Sequence, residues 1–246
     1  MTDLALVVPY YENPSMLALQ YEGWLGWAEK RKERFKVILV DDGSQIAPAA
    51  AVARPDGLPE LEIYRITEDR PWHQHAARNL GAHVAPNGWL LLTDMDHVLT
   101  EESACLLFRA FDKGLDGRKA YMLDRVEADT GLPTINEHGS PKPHPNSFVM
   151  TRKLYWKIGG YDEDWCGHYG TDAFFRKRVF QKAPRGHLNI PLVRYWRDLV
   201  PDASTNGLPR KEGRDPLAKE KIMAAKAARG EAGVVKVLQF PWERVL

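Results

Sequence analysis

The chain alternates between short apolar runs and amphipathic stretches, and the apolar runs end abruptly in polar loops. Leu4 to Val8 is a continuous apolar run stopped by Pro9, which ends a strand and forces a loop. Met16, Leu17, Leu19, Trp24, Leu25 and Trp27 then recur at helical spacing, and the charged run Glu29 to Arg34 reads as the solvated end of that helix. Phe35 to Val40 predicts a second buried strand. Residues 47–60 read as a weak helix and loop, and Leu61 to Ile66 as a third strand. A helix over Ala76 to Ala82 follows, and then Trp89 to Leu92, a buried strand bounded by Pro86, Asn87 and Gly88. Glu101 to Lys113 is amphipathic, with Glu101 and Glu102 suited to the positive start of a helix.

The second half is less regular. Lys119 to Val126 predicts a strand, and residues 127–146 are too long and too broken by proline and glycine for a simple connection, which suggests a substrate loop or lid. Ser147 to Thr151 reads as a strand, Lys153 to Ile158 as a short helix, Ala173 to Gln181 as a helix and Leu188 to Val193 as a strand. Residues 201–216 read as a linker, Asp215 to Arg229 as a basic helix and Val234 to Leu238 as a small edge strand. Strands separated by helices imply an α/β fold with a mainly parallel central sheet flanked by helices. Residues 1–200 are expected to form the main domain, divided near residue 97, with 201–246 as a basic helical extension.

Composition narrows the function classes. The 246 residues carry a formal net charge of +1, which gives no reason to expect nucleic acid or an anionic membrane as a partner of the whole chain. Residues 210–246 alone hold nine lysines and arginines against five acidic residues, a mild basic bias that suits a solvated helix face or an anionic acceptor. No apolar stretch is long enough for a membrane-spanning helix, and the N-terminus lacks a signal-peptide pattern, so a cytoplasmic location is expected. The two cysteines, Cys105 and Cys166, form no C-x-x-C pair and read as free thiols. Dinucleotide and P-loop glycine signatures are absent.

The chemistry collects at strand ends, where ligands of open α/β sheets bind. The strand Trp89 to Leu92 runs into Asp94-Met95-Asp96-His97. Two carboxylates there suit a hard divalent cation on a phosphate ester, and they would serve equally as helix caps. Asp42, in Asp41-Asp42-Gly43-Ser44, suits either a turn or acceptance of hydrogen bonds from a base or ribose edge. Trp72 offers a ring to stack on, and Arg78 with Asn79 at a helix start suits phosphate contact or a surface loop. Between Tyr161 and Asp172, Trp165, His168 and Tyr169 are interleaved with glycines. Asp172 opens a helix, as a cap or as something more.

Four segments, Val7 to Asn13, Val40 to Ser44, Asp94 to Asp96 and Gly159 to Asp172, together resemble a family 2-type glycosyltransferase of the GT-A fold; Arg78 to Gly81 resembles a further segment of that family. The resemblance covers roughly residues 4 to 195. It implies transfer of a sugar from a nucleotide-diphospho-sugar, UDP favoured, to an acceptor hydroxyl with inversion. It implies that Pro9, Tyr10 and Glu12 line the nucleotide pocket, with Trp72, Arg78 and Met95 nearby, and that Asp42 binds the base. Asp94 and Asp96 would hold Mn²⁺ or Mg²⁺, and Asp172 would be the general base. Trp165, His168 and Tyr169 would face the acceptor: a glycan, a small molecule or a nucleic acid. Two departures stand out. Thr171 replaces a glutamate common in the family. The later histidine ligand of related metal-dependent transferases is missing around Val193 to Arg197, so His97, His168, His187 or water would take its place. Leu91 to Leu99 also resembles the first motif of haloacid-dehalogenase-type phosphatases, with Asp94 as nucleophile, although three strands precede it here. A non-catalytic nucleotide-sugar-binding module is a third reading.

Overall fold

The computed structural model describes residues 3–204 and 215–246; the middle of the expected linker therefore lies outside the described residues. Nine strands form one sheet: β1 Leu4–Tyr10, β2 Phe35–Asp41, β3 Glu60–Ile66, β4 Trp89–Leu92, β5 His97–Val98, β6 Ala120–Glu127, β7 Phe148–Thr151, β8 Arg185–Arg194 and β9 Trp242–Arg244. The helices are α1 Pro14–Leu25, α2 Glu29–Lys32, α3 Gln74–Val84, α4 Glu101–Asp112, α5 Arg152–Ile158, α6 Asp172–Lys182 and α7 Ala218–Ala228. The spatial order is β5-β8-β6-β7-β4-β1-β2-β3-β9.

The sheet is mixed. β4, β1, β2 and β3 run parallel, the first three with the near-continuous apolar sequences of buried parallel strands and β3, nearer the edge, with an alternating one. β7 enters antiparallel between β4 and β6, while β6 and β8 are parallel to each other. Every residue of β1 is buried, because the sheet is covered on both faces. Leu4, Leu6, Val8 and Tyr10 point to one side, into a core with Met16, Leu17, Trp24 and Leu107. Ala5 and Val7 point to the other, against Ala77, Leu80, Tyr155 and Phe175. On that side α3 lies close to β1 at Gly81, where a Cβ would collide with Val7.

Two strands escaped the sequence pattern. β5 is only two residues long and pairs with the end of β8. β9 pairs antiparallel with β3 and closes that edge of the sheet. The edge strand expected at Val234 to Leu238 does not form. That stretch is an extended strap whose amides, at Lys236, Leu238 and Gln239, donate to the carboxylates of Asp162 and Glu163. Both cysteines are free. Among the described residues, no helix is long and apolar enough to cross a membrane.

Candidate active site

The carboxyl ends of β1, β2 and β4 open into one cleft, walled by Pro9, Tyr10, Asp42, Asp94, Met95 and Asp96, with Trp72, Gln74, Ala203 and Ser204 across from them. Local chemistry decides which side chain faces inward. Asp41 turns back on its own loop and accepts from the amides of Gly43, Ser44 and Ala49. Gly43 then takes φ +105°, with its α-carbon pressed against Asp69. Asp42 is left at the cleft, 5 % exposed, and its Oδ1 has no hydrogen-bond partner. Burial, reinforced by the neighbouring Asp41 charge, pushes its carboxyl well above the usual range, while Arg78 pulls the other way.

Glu12 does not line the cleft. Its carboxylate accepts from the amides of Gln45, Ile46 and Ala47, at 2.6–2.8 Å, and clamps the loop after β2. Its backbone amide in turn donates to Ser44 Oγ. The expected nucleotide contact is thus replaced by a structural one, because three orphan amides of a tight loop compete for the same oxygens. Tyr10 does line the cleft, and its hydroxyl donates to the Ala47 carbonyl.

Arg78 also departs from expectation. It is fully buried rather than open to a phosphate, and its guanidinium pairs with Asp94 and lies over the Tyr161 ring. The physical reason is the charge of its surroundings: it lies within electrostatic reach of Asp42, Asp94 and Asp172 alike. A cluster of acids at one strand edge needs a buried cation. Asn79, its neighbour, spends all its polar atoms on Tyr155, Tyr161 and Glu163.

Asp94 is capped twice, by Arg78 on Oδ1 and by His144 Nε2 on Oδ2 at 3.1 Å. Burial alone would raise its carboxyl, but Arg78 and His144 hold it far below the usual range. Asp96 Oδ1 meets His97 Nδ1 at 2.7 Å. His97 is buried behind Asp96, does not line the cleft, and leaves Nε2 without a partner. It supports Asp96 rather than offering a ligand atom beside it, because β5 pairing fixes it to the sheet. His187 is remote and pairs with Asp124. Among the described residues, no group of three or more His, Cys, Asp or Glu converges as a ready-made metal cage. A cation site of another kind does fit: one or two carboxylates completed by substrate phosphates and water. Asp96, with Asp94 beside it in the wall, has that character.

Asp172, the first residue of α6, sits next to this cleft. Its Oδ1 accepts from Gln74 Nε2 at 3.0 Å and lies 3.4 Å from His75 Nε2, and Gln74 itself is part of the cleft wall. Burial would raise its carboxyl, but His75, Arg78 and Asn146 together bring it below the usual value. A second pocket adjoins, with Trp72 as the shared wall. It is lined by Trp165, His168, Tyr169, Thr171 and Phe174, together with Asp215, Ala218 and Lys219 from the C-terminal segment. Trp165 is more core than platform, 4 % exposed and stacked on Phe174. Trp72 and Tyr169 lie ring to ring at 4.7 Å. Trp72 and Glu12 are two of the three non-glycine residues with positive φ among the described residues, so strained backbone gathers around this cleft.

Sequence reasoning missed several neighbours of these carboxylates. His144, Asn146 and Gln74 had no motif to mark them. Nor did Asp202, whose carboxylate accepts from the amides of Ser15 and Met16 and so brings the 201–204 turn over the cleft. The proline-rich 127–146 stretch was the one available signal.

Over 137 residues the chain is 29 % identical to an undecaprenyl-phosphate 4-deoxy-4-formamido-L-arabinose transferase of Photorhabdus laumondii, a match covering 54 % of this chain and 42 % of that protein. The chain thus spans less than half the length of that relative. Among solved structures, it superposes on S. aureus TarS (residues 1–349) with a TM-score of 0.61 at 14 % identity, covering 96 % of this chain and 67 % of that one. It superposes on the mannosyltransferase PcManGT of Pyrobaculum calidifontis, solved with GDP-Man and Mn²⁺, with a TM-score of 0.56 at 15 % identity, covering 83 % and 58 %. For GalNAc-T7 with UDP, GalNAc and Mn²⁺ the TM-score is 0.58 at 14 % identity, covering 91 % and 48 %. These likenesses establish the GT-A fold. Residues 6–181 match the family described as Glycosyl transferase family 2, and the chain belongs to that family.

Proposed function

We propose that this domain transfers a sugar from a nucleotide-diphospho-sugar, UDP before GDP, to an acceptor hydroxyl with inversion, assisted by a divalent cation. One observation carries the reading: Asp42 and Asp96, from two distant segments, line one cleft, Asp172 from a third bonds its wall residue Gln74, and the buried Arg78 is the common counter-charge of Asp42, Asp94 and Asp172.

Asp42 accepts the N–H of the base, which supplies the partner its buried Oδ1 lacks. Pro9, Tyr10 and Met95 shape the wall against the nucleotide. Asp96, with Asp94, holds Mn²⁺ or Mg²⁺. When bound, such an ion offsets the charge that develops on the departing diphosphate. Asp172, ionised because His75, Arg78 and Asn146 lower its carboxyl, takes the proton from the acceptor hydroxyl. The hydroxyl oxygen then bonds to the anomeric carbon as the carbon–oxygen bond to the diphosphate breaks on the opposite face. The Trp72, Tyr169 and His168 pocket holds the acceptor beside Asp172. The residues 1–200 form the catalytic unit, and the C-terminal extension adds a wall to the acceptor pocket.

The phosphatase reading loses its footing. Its motif follows the first strand of its domain, whereas β1, β2 and β3 all come before the strand that leads to Asp94 here, and residues 6–181 match Glycosyl transferase family 2 instead. The test is a thermal-shift panel of UDP- and GDP-sugars with and without Mn²⁺, followed by detection of released nucleoside diphosphate. A UDP-sugar is expected to raise the melting temperature only with the cation and to be turned over. Binding without turnover indicates a non-catalytic module; no binding by any donor sinks the proposal.

A further inference from the structure

The 127–146 stretch ends in Pro143-His144-Pro145-Asn146-Ser147, which the family motifs do not include. Two prolines restrict the backbone on either side of His144. From this point the chain sinks from the surface: Asn146 is 3 % exposed and Ser147 fully buried at the start of β7. Two hydrogen-bond chains pass through it. In the first, His144 Nε2 faces the Asp94 carboxylate at 3.1 Å, so it carries the proton. His144 Nδ1 then accepts from Ser147 Oγ at 3.1 Å, and Ser147 Oγ accepts from Thr93 Oγ1 at 3.1 Å. The His144 ring lies against that of His97, centroids 4.1 Å apart, and His97 holds Asp96. In the second, the Tyr161 hydroxyl donates to Asn146 Oδ1. Asn146 so held is also one of the groups that favour the charged form of Asp172. Tyr161 is itself fixed by stacking on Phe175 at 3.9 Å.

We infer that Pro143–Ser147 is the positioning element of the reaction: His144 orients the donor-side carboxylate Asp94 and Asn146 orients the base Asp172. The inference rests on the roles proposed above for those two carboxylates. A single short, stiff segment thereby sets the separation between the leaving-group side and the attacking side of the sugar. In-line displacement is sensitive to that separation, since misplacement by about 1 Å costs on the order of 100-fold in rate. His144 and Asn146 touch no reacting atom; they act through the aspartates.

The two residues, two positions apart, are expected to fail differently. The probes are UDP with MnCl₂ for binding and, for turnover, whichever of UDP-glucose, UDP-N-acetylglucosamine, UDP-galactose or GDP-mannose the parent protein hydrolyses fastest. Asn146→Ala is expected to lower kcat by about 10- to 100-fold with UDP affinity held within about twofold. The acid limb of its kcat–pH profile should move upward, because Asp172 loses a donor that favours its charged form. Asn146→Asp keeps the size and the acceptor for Tyr161 but sets a like charge against Asp172, so its acid limb should move further. It also serves if the alanine variant does not fold. His144→Ala is expected to weaken Mn²⁺-dependent UDP binding by about tenfold. Parent-like kcat and pH profile in both Asn146 variants, alongside an inactive Asp172→Asn, would overturn the inference while leaving the base assignment intact. Unchanged UDP affinity in His144→Ala overturns its donor-side half. An active Asp172→Asn removes the base reading and this inference with it.

Discussion

The two halves of the site are built in different ways. The donor cleft is made from the ends of β1, β2 and β4, neighbours in a parallel sheet, and its polar groups lie within a few residues of each strand. The acceptor-side pocket is made from a loop and a distant C-terminal segment, and neither belongs to the sheet's centre. What holds the second pocket is charge. Lys226 of α7 is 3 % exposed, donates to Asp162 at 3.0 Å and pairs with Asp164 at 2.5 Å. Glu163 between them accepts from the amides of Leu238 and Gln239. The donor side is therefore fixed by strand pairing around the buried Arg78–Asp94 pair, and the acceptor side by the Lys226 ion pairs that tie α7 to the loop before α6. Buried ion pairs are costly to break from one side and tolerant of wholesale replacement.

That contrast is open to attack by mutation, and the base itself should show the largest effect. Asp172→Asn is expected to lower transfer by about 10³-fold or more while UDP binding with Mn²⁺ stays close to that of the parent; titration calorimetry and product release measure the two. In the parent, the lowered Asp172 carboxyl keeps the base ionised, so kcat should not fall until pH drops below the ordinary aspartate range. A rate that already falls between pH 7 and 5 would exclude it as the controlling base.

Next in size is the acceptor-side clasp. Lys226→Met leaves the buried Asp162 without its cation and Asp164 with Arg229 alone, at an expected cost of about 3 kcal/mol, read by chemical denaturation. Hydrogen exchange should quicken in residues 161–172 before it does in β1 and β2. Equal loss of protection in both regions would mean that the two sides of the site are not separately held.

On the donor side, Asp96→Ala should weaken Mn²⁺-dependent UDP binding by about 10- to 100-fold without changing the melting temperature of the unliganded protein by more than a degree or two. Identical affinities with and without Mn²⁺ in the parent would break the donor half of the contrast. The smallest effect expected is the most informative about cost. Asp42 has a raised carboxyl, so the folded state holds its proton more tightly than the unfolded chain does. Its burial is then tolerated below the ordinary aspartate range and opposes folding as pH rises towards and above the raised value. Asp42→Asn should therefore stabilise the free protein at neutral pH by about 1 kcal/mol, or about 2–4 °C, while weakening UDP binding. A lower melting temperature would show that the unpartnered Asp42 oxygen has a donor in solution.

Much of the donor side was readable from local pattern. The runs from Leu4, Phe35 and Trp89 are strands because they are apolar on both faces, although the first does not stop at Pro9 as its sequence suggests but pairs on through it to Tyr10. Asp42, Asp94 and Asp96 line one cleft because parallel strands bring their carboxyl ends to one edge, and Asp172, at the start of α6, meets that wall through Gln74. β5 and β9 were invisible, since two or three residues carry no periodicity and their pairing depends on β8 and β3. The strap at 234–238 looked like a strand because it is rich in valine; its amides found carboxylates instead of a neighbouring strand.

The chain's own pattern of apolar runs and strand-end aspartates was enough to specify the sheet, the family and the edge where chemistry gathers. Folding alone decided which polar side chains face the cleft. Glu12 went to a loop, Arg78 beneath the acids, His97 behind Asp96, and His144 and Asn146 onto the two carboxylates. The reason is that burial leaves no polar atom without competition. Each side chain turns to whichever donor or acceptor arrives beside it, and many of those partners come from distant segments, 98 residues away for Gln74 and Asp172 and 187 for Ser15 and Asp202, beyond the reach of any local pattern.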